Sequence, residues 1–219
     1  MAVITRHIMG VIFDLDGVLV DSRLAVDPAW TIWGRERGIE RATIAAGTRG
    51  RRTRDAVSVL APHLDPDIET AKIIALEQGL ADRVVPIPGA ADLLSQLPSE
   101  RWGIGTSGTA GIAYPRLRYA GLPIPHVLIT AEMVTRGKPD PQVYLRAAAD
   151  LGFDPSACVV FEDAPDGVVA ATRAGCLTVG VLTWALRDQL PTPLAIPDLR
   201  SVRATLASEQ ITLHIELSE

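Results

Sequence analysis

The apolar run Val11-Ile12-Phe13, which ends in Asp14-Leu15-Asp16-Gly17, constrains this chain more than any other segment. An uninterrupted apolar run is typical of a buried parallel strand. Side chains two positions apart on a strand point the same way, so Asp14 and Asp16 project together from its carboxyl end. Gly17 permits a sharp turn there and is predicted to bind substrate, because a glycine lets a ligand approach the backbone. Adjacent carboxylates repel unless a cation or a shared proton lies between them. The segment predicts either a Mg²⁺ site with one carboxylate free to attack, or an ordinary turn with solvated acids.

Three later segments carry polar residues that also follow apolar runs or precede helices. They are WGIGTSGT with Thr106, RGKPDP with Lys138, and CVVFEDAPDG with Glu162 and Asp163. Together with the first segment, and in this order, they resemble the four motifs of the haloacid dehalogenase superfamily, which consists mostly of Mg²⁺-dependent phosphatases and phosphomutases. The resemblance spans almost the whole chain. It is strongest to the small sugar- and polyol-phosphate phosphatases, which include glycerol-phosphate and 2-deoxyglucose-6-phosphate phosphatases.

The resemblance implies a role for each catalytic residue. Asp14 would be the nucleophile that forms an aspartyl-phosphate, and Asp16 would act as general acid and then as general base. An acid at position 16 favours phosphoryl transfer, because the dehalogenases of the superfamily lack one there. Thr106, with the backbone amide of Ser107, and Lys138 would hold the transferring phosphoryl group.

The resemblance also implies the magnesium ligands. Mg²⁺ prefers oxygen ligands, and the family pattern supplies the side chains of Asp14 and Asp163 together with the backbone carbonyl of Asp16. Glu162 is predicted as a fourth ligand. Asp166 is a further candidate, but we favour its interpretation as an acid at the N-terminus of a helix, where the dipole stabilises it.

The order of predicted elements indicates an α/β fold with a doubly wound, Rossmann-like parallel sheet. Strand-like runs at 10–13, 103–106, 127–130, 158–161 and 177–182 alternate with helical segments near 89–97, 110–120, 140–151 and 165–174. Residues 24–37, 53–60 and 67–81 instead predict consecutive helices, similar to the inserted all-helical cap of the family. We therefore expect a core of residues 1–20 and 87–219 and a cap of residues 21–86. The segment 211–219 alternates like a strand.

The cap loop is rich in arginine and is predicted to bind substrate. Its residues are Gly50, Arg51, Arg52, Thr53 and Arg54, with Arg49 just before them. The family places its specificity loop between cap helices, and a basic loop there would meet an anionic substrate. The alternative is a solvated face from which one or two arginines touch substrate. Thr53 is also predicted as the N-cap of the next helix, and Trp30 and Trp33 as a helix-packing pair.

Composition excludes several other classes of function. A net charge of −5 over 219 residues gives no general affinity for nucleic acid. There is no apolar run long enough for a membrane span and no secretory signal pattern at the N-terminus. Cys158 and Cys176 lie in apolar runs and predict buried free thiols in a reducing cytoplasm. We expect a monomer or weak dimer that acts on a phosphorylated small molecule.

Two alternative functions remain open from the sequence. A β-phosphoglucomutase-like enzyme would carry His where this chain has Val26 and Arg where it has Thr53. A catalytically inactive phosphate-binding protein would have lost a motif carboxylate, and none is lost. Residues 103–108, GIGTSG, also match a dinucleotide-binding pattern, but Thr106 in the second motif explains this string better.

Overall fold

The computed structural model describes residues 2–48, 50–207 and 210–218. Its strands are β1 Val3–Ile8, β2 Gly10–Phe13, β3 Val20–Asp21, β4 Val85–Pro86, β5 Trp102–Gly105, β6 Val127–Ile129, β7 Cys158–Glu162, β8 Leu177–Val181, β9 Ala195–Ile196, β10 Val202–Ala207 and β11 Gln210–Glu216. Its α-helices are α1 Arg23–Arg35, α2 Arg41–Thr48, α3 Thr53–Leu60, α4 Pro66–Gln78, α5 Ala90–Ser95, α6 Ala110–Tyr119, α7 Gln142–Leu151 and α8 Pro165–Arg173.

A six-stranded parallel sheet forms the centre of the molecule, in the order β6-β5-β2-β7-β8-β9. Strand β2 is fully buried between β5 and β7. Val11 and Phe13 belong to one apolar cluster and Ile12 to another, because alternate residues face opposite sides of the sheet. Helices α5 and α6 contribute to the first cluster, and α7 and α8 to the second. The predicted doubly wound α/β fold is confirmed.

Four helices, α1 to α4, lie between the two short strands β3 and β4, which pair antiparallel. These helices have an apolar cluster of their own. Trp30 and Trp33 lie in it with their ring centroids 5.4 Å apart in an edge-on arrangement, which confirms their predicted packing. The chain thus passes from the core into an all-helical cap at β3 and returns to the core at β4. The division of the chain at residues 20/21 and 86/87 stays a prediction.

Two details of the cap differ from the sequence-based expectation. Helix α2 was not expected, since Ile44 is its one buried residue and the apolar periodicity is weak. Thr53 is the first residue of α3 and not its N-cap. Arg52 takes the capping position with an extended backbone and makes no side-chain capping bond, so the helix begins one residue earlier than a Thr cap would place it.

A second, antiparallel sheet of order β1-β11-β10 packs on the core. The predicted strand near 211–219 is confirmed as β11, whose Ile211, Leu213 and Ile215 join the same apolar cluster as Phe13. Its partners β1 and β10 were not predicted. Cys158 and Cys176 are buried free thiols, as expected. Within the described ranges no helix has the length and apolar character needed to cross a membrane.

Candidate active site

The carboxyl ends of three neighbouring strands bring the motif residues together. Asp14 and Asp16 follow β2, Thr106 follows β5, and Asp163 follows β7. Lys138 comes from the loop between β6 and α7. All five line one cavity of about 310 Å³. Ligands of open α/β sheets bind at this edge, where the strand order changes direction, and the order β5-β2-β7 places such a point beside Asp14.

Lys138 links the first and last motifs. Its Nζ donates to Asp14 Oδ1 at 2.7 Å and to Glu162 Oε1 at 2.6 Å, and its side chain is 2% exposed. Burial alone would lower the pKa of Lys138, but the two carboxylates raise it above its usual value. Lys138 therefore stays protonated and supplies a fixed positive charge beside Asp14.

Glu162 has protein donors on both of its oxygens. Oε1 accepts from Lys138 and from the hydroxyl of Tyr144 at 2.7 Å, and Oε2 accepts from the amide of Ala164 at 2.9 Å. A Cβ on Gly167 would lie 1.7 Å from Oε1, so only glycine leaves room for this carboxylate. Glu162 thus contacts Lys138 directly, and its sequence-based assignment as a magnesium ligand stays a prediction.

Asp14, Glu162 and Asp163 form an acidic cluster, in which one carboxylate oxygen from each residue lies within 4.8 Å of the other two. Burial, followed by the neighbouring acids, raises the pKa of Asp14 to about 7 and that of Asp163 well above its usual value. With Lys138 as its contacting cation, the cluster keeps a formal excess of two negative charges. Asp163 Oδ2 is buried and has no hydrogen-bond partner in the described part of the chain. This donor set fits a divalent cation.

Gly17 makes room for this cluster. Its φ of +83° lies in the left-handed region, and a Cβ there would lie 2.4 Å from Asp163 Oδ2. The predicted turn residue is therefore also the point where the loop after β2 approaches the end of β7. Gly17 itself does not line the cavity.

Asp16 has one engaged oxygen and one free oxygen. Its Oδ2 accepts from Arg116 at 2.5 Å, whereas its buried Oδ1 has no partner within the described ranges. Arg116 was missed by sequence reasoning. It is one of the two arginines of helix α6 and has no motif around it. Its acidic partners, Asp16 and Glu77, lie 100 and 39 positions away.

The second motif lies where the core meets the cap. Thr106 Oγ1 accepts from the amide of Gly108 at 3.0 Å, and Ser107 donates to the carbonyl of Gly50 at 2.9 Å. Thr106, Ser107 and Gly50 all line the cavity. A Cβ on Gly50, whose φ is +72°, would lie 2.7 Å from Ala164 Cβ, so the cap loop approaches the core closely at this glycine.

The predicted cap arginines have different surroundings. Arg51 lines the cavity and its Nε donates to Asp166 of α8 at 3.0 Å. Arg52 binds Asp55 through two nitrogens, at 2.7 and 2.9 Å, and reaches the carbonyl of Val134. Arg52 does not line the cavity, because this pairing directs its guanidinium to the cap–core boundary. Asp166 lies in the first turn of α8, as favoured, and outside the acidic cluster of the described residues.

The remaining loop residues complete this comparison. Arg54 is exposed and pairs with the exposed Asp67, which keeps it outside the cavity. Thr53 lines the cavity next to Gly50. Arg49 lies outside the described residues. The structure thus brings one of the three described arginines, Arg51, to the cavity.

Comparison with known proteins agrees with this geometry. The family model described as haloacid dehalogenase-like hydrolase matches residues 8–175. Hexitol phosphatase A of Escherichia coli (strain K12) is 39% identical over 210 residues, which cover 93% of each chain. Glycerol-1-phosphate phosphohydrolase 2 of Saccharomyces cerevisiae is 34% identical over 78% of this chain and 74% of its own.

Solved structures show the same architecture. A hydrolase from Pseudomonas syringae superposes with a TM-score of 0.80 at 27% identity, over 88% of this chain and 94% of the other. The family match covers more than half of the chain, and its residues include all four motifs around the cavity. This chain therefore belongs to the haloacid dehalogenase-like hydrolases.

Proposed function

We propose that this protein is a Mg²⁺-dependent phosphatase that hydrolyses a sugar or polyol phosphate through an aspartyl-phosphate on Asp14. The observation that carries the proposal is the arrangement of Asp14 between a protonated lysine and an unsatisfied acid. Lys138 holds Asp14 Oδ1 at 2.7 Å, and the neighbouring Asp163 keeps a buried oxygen without a partner in the described ranges. Such a site fits a nucleophilic carboxylate with charge neutralisation around it.

The chain's own residues can perform both halves of the reaction. Asp14 attacks phosphorus, and Asp16 gives a proton to the ester oxygen as its bond to phosphorus breaks. Asp16 then removes a proton from the water that attacks the aspartyl-phosphate, so that inorganic phosphate leaves and Asp14 is restored. Lys138 and Thr106, with the amide of Ser107, hold the phosphoryl oxygens.

Magnesium would be held by Asp14, Asp163 and the backbone carbonyl of Asp16. When bound, the ion would neutralise phosphoryl charge and align the ester with the nucleophile. Glu162 belongs to the acidic cluster, but its two oxygens already accept hydrogen bonds from the protein. We therefore assign Glu162 to the positioning of Lys138 rather than to direct coordination.

The cavity supports a small, hydroxyl-rich leaving group. About 310 Å³ is at the lower end of the range for small-molecule sites. Ser22 Oγ and Trp184 Nε1 are buried atoms of cavity-lining residues, and neither has a hydrogen-bond partner among the described residues. Buried polar groups normally have partners, and substrate hydroxyls would supply them. A relative that is a hexitol phosphatase and another that acts on glycerol 1-phosphate support the same class.

The mutase alternative has less support. Val26 lines the cavity where a β-phosphoglucomutase-like enzyme would carry His, and valine offers no proton. A binding protein without activity is also disfavoured, because Asp14, Asp16 and Asp163 are all present around the cavity. A cytoplasmic location, supported by the two free thiols, and a monomeric or weakly dimeric state complete the proposal.

The test is phosphate release by the purified protein from a panel of esters. The panel should hold a hexitol phosphate, glycerol 1-phosphate, glucose 6-phosphate and p-nitrophenyl phosphate, each with Mg²⁺ and with excess chelator. We expect turnover with Mg²⁺, a preference for sugar or polyol esters, and loss of activity with chelator that Mg²⁺ restores. No release from any ester, or full turnover in excess chelator, would contradict the proposal. Conversion of one sugar phosphate isomer into another would support the mutase.

A further inference from the structure

One buried guanidinium joins the proposed general acid to the cap. Arg116 of α6 is 5% exposed. Its Nη1 donates to Asp16 Oδ2 at 2.5 Å, and its Nη2 donates to Glu77 Oε2 at 2.7 Å. Asp16 belongs to the loop after β2 of the core, whereas Glu77 lies near the end of cap helix α4. A single side chain therefore contacts both sides of the cavity.

The contact leaves the other oxygen of Asp16 without a partner. Asp16 Oδ1 is buried and has no hydrogen-bond partner in the described part of the chain, and Asp16, Arg116 and Glu77 all line the cavity. A planar guanidinium holds its partners in a fixed geometry. Arg116 thus holds Asp16 through Oδ2 alone, so no hydrogen bond from the described residues occupies Oδ1.

Two successive residues at the end of α4, Glu77 and Gln78, form hydrogen bonds with α6. Next to Glu77, the Gln78 Nε2 atom donates to the carbonyl of Gly111 in the first turn of α6, at 3.1 Å. Helix α4 is also the last α-helix before the linker strand β4. A change in the cap's position at this boundary would therefore move a direct partner of Arg116.

We propose that Arg116 is a positioning residue for Asp16, and that Glu77 makes this positioning depend on cap helix α4. The inference rests on the proposed function, in which Asp16 protonates the leaving oxygen. When Glu77 holds one arm of the guanidinium, the other arm holds Asp16 with Oδ1 directed to that oxygen. Without Glu77, Arg116 keeps one anchor and Asp16 gains rotational freedom.

The test compares two esters that need the general acid to different degrees. The oxygen of a sugar or polyol phosphate leaves as an alcohol and requires a proton, whereas p-nitrophenolate leaves without one. The kcat/KM value reports the step in which Asp14 attacks and the ester oxygen leaves. The variants are Arg116→Lys, Arg116→Met and Glu77→Gln, and the control is Arg118→Met, which removes an exposed arginine from the same helix.

We expect Arg116→Met to lower kcat/KM for the sugar phosphate by about 10²-fold, as misplacement of a general acid does. For p-nitrophenyl phosphate the loss should stay below about fivefold on the same grounds. Glu77→Gln should show a smaller loss with the same selectivity, and Arg116→Lys should recover part of the activity. Arg118→Met should match the unmodified protein on both esters.

Equal losses on both esters in Arg116→Lys and Glu77→Gln would overturn the inference, since a structural or phosphate-binding role does not distinguish leaving groups. A change confined to KM for the sugar phosphate would also overturn it and would indicate direct contact between Arg116 and substrate. Glu77→Gln is nearly isosteric, so it decides the question even if Arg116→Met does not fold. An unmodified protein inactive on both esters would refute the proposed function itself.

Discussion

Arg51 of the cap loop and Asp166 of helix α8 form a salt bridge across the cap–core boundary, with 3.0 Å between Nε and Oδ2. Arg51 also lines the cavity. The Arg51 side chain thus binds an acid of the core and also lies at the wall of the cavity. Arg54, in the same loop, is paired with Asp67 in solvent, which makes it a matched control for any effect of Arg51.

Arg51→Ala is expected to lower kcat/KM for a sugar phosphate by about tenfold, the effect of losing one charge-assisted hydrogen bond. For p-nitrophenyl phosphate the loss should be clearly smaller, because that ester lacks the hydroxyl-bearing group that we propose the loop contacts. Arg54→Ala should leave both values unchanged. Steady-state kinetics on the two esters checks this, and equal losses on both would show that Arg51 binds the phosphoryl group instead.

Asp14→Asn is expected to abolish turnover, because an amide cannot form the aspartyl-phosphate. Asp16→Asn should lose about 10²–10⁴-fold of activity through loss of acid–base catalysis. The Mg²⁺-induced rise in melting temperature should persist in Asp16→Asn, whose proposed ligand is a backbone carbonyl, and should shrink in Asp14→Asn. Substantial activity in Asp14→Asn beside an inactive Asp16→Asn would reverse the assigned roles.

Gly167→Ala is expected to destabilise the protein by about 3 kcal/mol, as overpacking and disturbance of a buried ion pair do. Its new Cβ would lie 1.7 Å from Glu162 Oε1 and would displace the acceptor of Lys138. Activity should fall with it. Gly79→Ala is the control, because the nearest atom to its Cβ would be 3.5 Å away. Denaturant unfolding of both variants measures the difference, and a Gly167→Ala protein as stable as the control would contradict it.

Magnesium should stabilise the protein more at pH 8 than at pH 5. The pKa of Asp14, ordinarily 3.8, is raised to about 7 in the metal-free protein, and that of Asp163 is raised as well. Between the two pKa values of Asp14 the folded state binds more protons than the unfolded state, so Asp14 makes the free energy of unfolding fall as pH rises from about 4 to about 7. The raised pKa of Asp163 acts in the same direction. Mg²⁺ binds the ionised carboxylates and offsets this loss.

Melting temperatures of chelator-treated protein at pH 5 and pH 8, with and without Mg²⁺, check this expectation. The rise caused by Mg²⁺ should be small at pH 5 and large at pH 8. In Asp163→Asn the rise at pH 8 should be reduced. An equal rise at both pH values would mean that the cation does not compete with protons for these carboxylates.

The central sheet and the four motifs could be predicted because each has a local signal. Asp14 and Asp16 follow a continuous apolar run, and Glu162 and Asp163 follow another. Arg116 has no such signal, since its role depends on partners 100 and 39 positions away. Charge alone also could not separate Arg51 from Arg54, because the difference lies in which acid each one faces after folding.

The pairing of β1 with β11 has a consequence for folding during synthesis on the ribosome. Thr5 and His214, which are hydrogen-bonded partners in this pair, are 209 positions apart. Strand β1 is therefore synthesised long before its neighbour β11 is available to pair with it. Until then Ile211, Leu213 and Ile215 cannot cover their part of the apolar cluster that contains Phe13. The nascent chain thus carries an uncovered apolar surface of the kind that chaperones bind.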